Sequence, residues 1–188
     1  GHGVPGAMVS VVCSYALSNC LLEEKITDPG KILDRTRDLV VERFERGDED
    51  VRDGMDIALC ALNNDTGILY YSGANNPVWI VKEKGEEVIE IKGNKQPIGK
   101  YDVNKPFTTH EIKLEKGDTL YLCSDGYPDQ FGGEKGKKLK TTNLKKILIS
   151  INAESLDQQR ITLNEEFNRW KGDLEQVDDV CIIGVRIT

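Results

Sequence analysis

The spacing of apolar residues changes period twice along the chain, and this restricts the available folds more than any other feature. Val9, Val12, Cys13, Ala16, Leu17, Cys20 and Leu21 recur at intervals of three and four, which predicts a helix starting almost at once. Asp28 in N-cap position and Pro29 in the first turn announce a second helix, with Ile32, Leu33, Thr36, Leu39, Val40 and Phe44 on one face and an end near Gly47. From Met55 the spacing becomes that of strands. Residues 55–62 and 68–71 flank a turn at 63–67, 78–82 and 88–91 meet through Gly85, and 110–114 and 119–123 meet across Gly117 and Asp118, predicting three hairpins. Helical spacing returns at 144–151 and at Leu156, Leu163, Phe167 and Trp170, before a last strand over 180–187.

This order argues for an α+β domain in which antiparallel sheet is covered by helices, and against Rossmann-like winding. The strands starting at Met55 and Val180 are apolar on both faces and are expected to be central, in two stacked sheets between helical layers. A length of 188 residues, without repeat or linker, fits one domain. With 30% charged residues and a net charge of −7, nucleic acid is not an expected partner. The dense basic stretch is Lys135, Lys137, Lys138 and Lys140, which fits a solvated loop or a surface attracting a phosphorylated or acidic partner. No run approaches the roughly eighteen consecutive apolar residues of a membrane span, and no secretion signal opens the chain, so no membrane contact is expected. Five cysteines without C-x-x-C spacing indicate neither a disulfide framework nor a zinc cluster, and a reducing cytoplasm fits best. Cys60, Cys123 and Cys181 lie in apolar runs and are expected in the core, as are Trp79 and Trp170.

Gly132, Gly133, Gly136 and Lys137 fail the phosphate-loop spacing, and Lys138 stands where Ser or Thr is required. A serine hydrolase triad would have to use His2 or His110; His110 starts a strand on its solvent side, and His2 fits a structural role at a loop-to-helix junction. Carboxylates remain. Ser124, Asp125 and Gly126 follow the run 120–123, and Asp178 and Asp179 precede the run 180–185. Acidic residues at strand tips are held rigidly, as a hard divalent cation requires. The same residues also suit ordinary turns and strand boundaries. Asn75 and Asn76 before Pro77 predict a turn, with contact to a substrate as the lesser alternative.

The runs GHGVPGAMVS (1–10), DGMDIALC (53–60), SGANNP (72–77), QPIG (96–99), LCSDGYPDQFGG (122–133) and VDDVCIIGVRI (177–187), in this order, resemble the bacterial SpoIIE-type serine phosphatases of the PPM, or type 2C, superfamily. The resemblance implies an αββα sandwich of two antiparallel sheets flanked by helices, with two Mn²⁺ or Mg²⁺ ions and a metal-activated water attacking phosphorus. It makes Asp125 and Asp178 catalytic metal ligands, with Asp179 a further candidate. In the family an Asp precedes the GHG motif and another acidic ligand lies farther upstream, so the resemblance implies that residues 1–188 are an N-terminally truncated domain without its first strands, with activity impaired and an edge open to homodimers. It further implies a phosphoserine or phosphothreonine substrate on a STAS-domain anti-sigma-factor antagonist, and a sensor domain upstream in the full-length chain. The alternative is a non-catalytic module that binds such a partner.

Overall fold

The computed structural model describes residues 3–45, 54–101 and 104–188, so His2, Asp53 and Gly47, singled out above, lie outside the described residues. The chain divides into two compact units, residues 1–77 with 92–113, and 78–91 with 114–188.

In the first unit, helix α1 (Gly3–Ser18) runs into a π-helical turn (Asn19–Glu23), and α2 (Pro29–Glu45) follows. Asp28 caps α2 as expected, accepting from the Lys31 N–H at 2.9 Å. Val9, Cys13 and Ala16 from α1 and Leu33 and Val40 from α2 pack with Ala74, Ile98 and Phe107. Strands β1 (Ile57–Asn63) and β2 (Ile68–Ala74) form the expected hairpin, and β5 (His110–Lys113) completes a sheet of order β1-β2-β5. Residues 92–101 and 104–109 are held by side chains. Gln96 bonds both the carbonyl and the N–H of Lys105, and Asp34 accepts from Phe107 N–H at 3.1 Å.

The window Gly6–Glu23 is long and apolar enough to cross a membrane by length and composition alone, a test that the core helix of a soluble protein also passes. Ser10, Ser14, Ser18 and Asn19 interrupt it, so it holds no unbroken apolar run of spanning length. One stripe of this helix joins the core, while Met8, Val11, Tyr15 and Leu22 are exposed.

In the second unit, β3 (Val78–Val81), β4 (Ile89–Ile91), β6 (Thr119–Cys123) and β9 (Ile182–Arg186) form an antiparallel sheet of order β4-β3-β6-β9. Helices α4 (Thr141–Ser150) and α5 (Leu156–Lys171) contribute Leu144, Leu148, Leu163 and Phe167 to a core with Trp79, Val81, Tyr121 and Tyr127. A single turn, α3 (Gly126–Asp129), leads into the small hairpin of β7 (Phe131–Gly132) and β8 (Lys137–Lys138).

The strand order corrects two expectations. No hairpin joins β5 to β6: β5 pairs with β2, and β6 with β3 and β9. The Gly117–Asp118 turn looked local, but the Asp118 carboxylate is 2% exposed and accepts from Lys82 Nζ at 2.7 Å and Glu115 N–H at 2.9 Å. Its backbone is tied to Ile187, so this turn enters the sheet beside β9. Among the described residues β1 and β9 are also edge strands, not central ones. Along β9 half-buried and exposed residues alternate, leaving Ile183 and Val185 exposed; apolar side chains on both faces do not prove burial on both.

Candidate active site at the tips of β6 and β9

Chain direction brings the two acidic motifs together. Because β6 and β9 are antiparallel, with Cys123 opposite Ile182, the residues after one strand lie beside those before the other. Ser124 N–H donates to the Cys181 carbonyl at 2.9 Å, extending the ladder past the last regular pair. The Ser124 hydroxyl then donates to the Asp179 carbonyl at 2.8 Å and accepts from Cys181 N–H at 2.9 Å.

Gly126 closes the junction. A Cβ there would stand 2.3 Å from the Asp179 carbonyl oxygen and 3.3 Å from the Asp178 carbonyl carbon, far inside contact distance. Only glycine lets the Asp125 segment lie this close to the backbone of Asp178 and Asp179. Buried Gln130 fixes the approach to the pair, donating to the Glu175 carbonyl at 2.9 Å and accepting from Val177 N–H at 3.3 Å.

The backbones of Asp125, Asp178 and Asp179 are thus pinned while their side chains face solvent. One oxygen of Asp178 accepts from Asp179 N–H at 2.7 Å. The Asp125 carboxylate has no hydrogen-bond or ion-pair partner among the described residues. Beneath the tips, burial, and secondarily the neighbouring Cys181, pushes the Cys123 thiol up to about 12. Burial likewise raises the Tyr127 phenol, whose hydroxyl donates to the Leu163 carbonyl at 2.8 Å.

Cys123 and Cys60 are half-buried and Cys181 is exposed, so the core expectation fails for Cys181, which stands where β9 has not yet begun. Trp79 is core, whereas Trp170 is half-buried and packs against that core. His110 is half-buried, its ring stacked on Tyr71 at 5.8 Å. Asn75 and Asn76 do form a turn, Asn75 with φ of 59° and its amide donating to Asp56 at 2.8 Å. Sequence reasoning assigned no role to the Ser124 hydroxyl, to Gly126 as a spacer or to Gln130; glycine directly after an acidic strand end was the available signal for one of them.

Among the described residues no group of three or more His, Cys, Asp and Glu side chains is gathered closely enough to hold a metal ion. Two exposed, hard carboxylates on fixed backbone do suit Mg²⁺ or Mn²⁺ bound in another manner. Such ions are commonly held by one or two carboxylates, with water and substrate phosphate completing the shell. The donor chemistry fits the metals implied by the resemblance.

A family model described as Stage II sporulation protein E (SpoIIE) matches residues 1–188. The comparison with curated proteins returns no match. Among solved structures, the SiaA PP2C domain of Pseudomonas aeruginosa matches at TM-score 0.87 and 27% identity, over 100% of this chain and 72% of that one. The Mn-presoaked phosphatase domain of SpoIIE from Bacillus subtilis matches at TM-score 0.57 and 15% identity, over 93% and 73%. A PPM Ser-Thr phosphatase from Mycobacterium smegmatis, in complex with cacodylate, matches at TM-score 0.64 and 14% identity, over 100% and 85%. The last two speak to the fold alone, and that fold is of the α+β class read from the sequence.

Proposed function

Because the chain belongs to the SpoIIE family and is a PP2C-type phosphatase domain homologous to the PPM serine/threonine phosphatases, we propose that it removes phosphate from serine or threonine on a signalling partner protein. In this reading Asp125 and Asp178 hold Mn²⁺ or Mg²⁺, with Asp179 beside them. The bound metal supplies a water of lowered pKa and neutralises phosphoryl oxygens. The chain's own residues do the positioning. Ser124 and Gly126 lock the two acidic segments together, so both carboxylates start from fixed backbone, and the exposure of the tips admits a phosphate carried on another protein. The partner we infer is a phosphorylated STAS-domain protein in the cytoplasm.

The observation carrying this reading is the direct packing of Gly126 against Asp179, which joins two distant acidic motifs at one spot. The absence of a three-donor cluster among the described residues supports a second reading, a module that binds the same partner without turnover. Phosphate release from a phosphoserine peptide, with and without Mn²⁺, separates the two. Metal-dependent turnover is expected, falling at least about 100-fold in Asp125→Asn, since even residues behind the ligands are worth 10- to 100-fold. Turnover unaffected by that substitution would remove Asp125 from the site. Peptide binding without turnover would favour the second reading.

A further inference from the structure

The small hairpin that follows the site has a charge nothing in the fold explains. Residues 131–140 hold four lysines and one glutamate, a net +3, in a chain of net −7, leaving −10 elsewhere. Lys135, Lys137, Lys138 and Lys140 are all exposed. Lys138 pairs with Asp129 at 2.8 Å and lies 5.9 Å from the ring of Phe131, itself 41% exposed. The ammonium groups of Lys135, Lys137 and Lys140 have no hydrogen-bond or ion-pair partner among the described residues. Like charges this close repel one another, and beside the single Glu134 three of them make no ion pair among the described residues.

The hairpin is nevertheless held firmly, by the same residues that hold the site. A Cβ on Gly132 would stand 1.8 Å from the Trp170 carbonyl oxygen, and Gly133 N–H donates to that oxygen at 2.8 Å. Leu139 N–H donates to the Gln130 carbonyl at 3.0 Å and Lys140 N–H to the Pro128 carbonyl at 2.7 Å. Pro128 belongs to the turn that Asp125 starts, and Gln130 clamps the segment leading to Asp178. Basic hairpin and acidic tips therefore share one frame within one unit.

We propose that this hairpin is a docking element for the protein substrate, and that it takes an acidic surface flanking the phosphorylated residue. The proposal rests on the phosphatase reading for the identity of the substrate. Charge complementarity selects the partner's chemistry: three lysines without an ion-pair partner and an exposed aromatic ring suit a compact cluster of Asp and Glu. A nucleic acid fits poorly, because its long phosphate rail would also meet the net −10 of the remaining chain.

The test compares two fluorescent phosphoserine peptides of equal length, one flanked by Asp and Glu and one by Ser and Gly. Anisotropy is read on the whole chain without metal. The acidic peptide is expected to bind roughly tenfold more tightly, and raising salt to about 0.5 M should abolish the preference, since screening then acts over a few ångströms. Lys135→Glu with Lys137→Glu should abolish it too, and Lys137→Gln alone should reduce it. Equal binding of both peptides, a preference surviving the double substitution, or tighter binding of a single-stranded oligonucleotide would overturn the proposal. Mn²⁺-dependent turnover of p-nitrophenyl phosphate by the unaltered chain reports separately on the phosphatase reading, so either idea can fail without the other.

Discussion

The start of α2 and the tips of β6 and β9 both present aspartates, and they use them in opposite ways. Around α2 the carboxylates are engaged. Asp28 accepts from Lys31 N–H and from the Thr109 hydroxyl at 2.8 Å, and that hydroxyl accepts from Gly30 N–H at 2.9 Å. Asp34 accepts from Arg37 at 2.8 Å and from Phe107 N–H. At the strand tips the backbone is engaged instead: Ser124, Gly126 and Gln130 hold the chain while the Asp125 carboxylate is open. An aspartate with its oxygens engaged explains the fold around it, whereas a pinned aspartate with open oxygens is available for chemistry.

The sharpest way to break this comparison is to remove one carboxylate of each kind. Asp34→Ala strips a partner from Arg37, which is 8% exposed, and leaves Phe107 N–H unpaired. Arg37 keeps the Lys105 carbonyl at 2.8 Å and the Phe107 ring at 5.0 Å, so the cost is expected to be about 2–3 kcal/mol and not the larger loss of a wholly orphaned charge. Asp125→Ala should change stability by less than about 0.5 kcal/mol, as surface substitutions without structural partners do. Denaturant unfolding of both variants checks this. Equal losses would mean that Asp125 is structural after all.

A smaller effect is expected at the joint itself. Gly126→Ala places a methyl group against backbone that cannot swing aside, so the cost is about 1–3 kcal/mol. Because the atom it meets belongs to Asp179, the substitution should also disturb the tips, read as a shift in the amide signals of Asp178 and Asp179. Lost stability with those signals unmoved would show that the tips adjust independently, and would weaken the idea of a shared frame.

These contrasts also mark what the sequence could reveal. Asp28 with Pro29, the β1–β2 turn and the β3–β4 turn are written in neighbouring residues, and each forms as expected. The β5–β6 turn has an equally clear local signal and misleads, because Asp118 is decided by Lys82, distant in sequence. Asp34, Arg37 and Gln96 gave no signal, since Lys105 and Phe107 become their partners only once the chain has folded. At the site, spacing alone left Asp125 and Asp178 equally consistent with turns. Family resemblance singled them out, and the contact through Gly126 is a three-dimensional fact that no spacing rule contains.

The smallest effect concerns the charge on Asp28, and it separates capping from electrostatics. Partial burial works against ionisation here, but the Lys31 N–H, the Thr109 hydroxyl, the Lys31 charge and the Gly30 N–H outweigh it and hold the carboxyl below its ordinary 3.8. Asp28→Ala, which removes cap and charge together, should cost about 1 kcal/mol. Asp28→Asn keeps a capping oxygen and removes only the charge, so its loss at neutral pH should be a fraction of that. A folded-state pKa below the unfolded one means that the ionic contribution is complete above the unfolded value and disappears as pH falls through the folded one. The stability gap between the parent chain and Asp28→Asn should therefore be constant down to about pH 4 and close below it, as followed by denaturant unfolding across that range. A gap that stays open under acid would mean that Asp28 acts through the shape of its hydrogen bonds alone, and the start of α2 would then differ from the strand tips in geometry more than in charge.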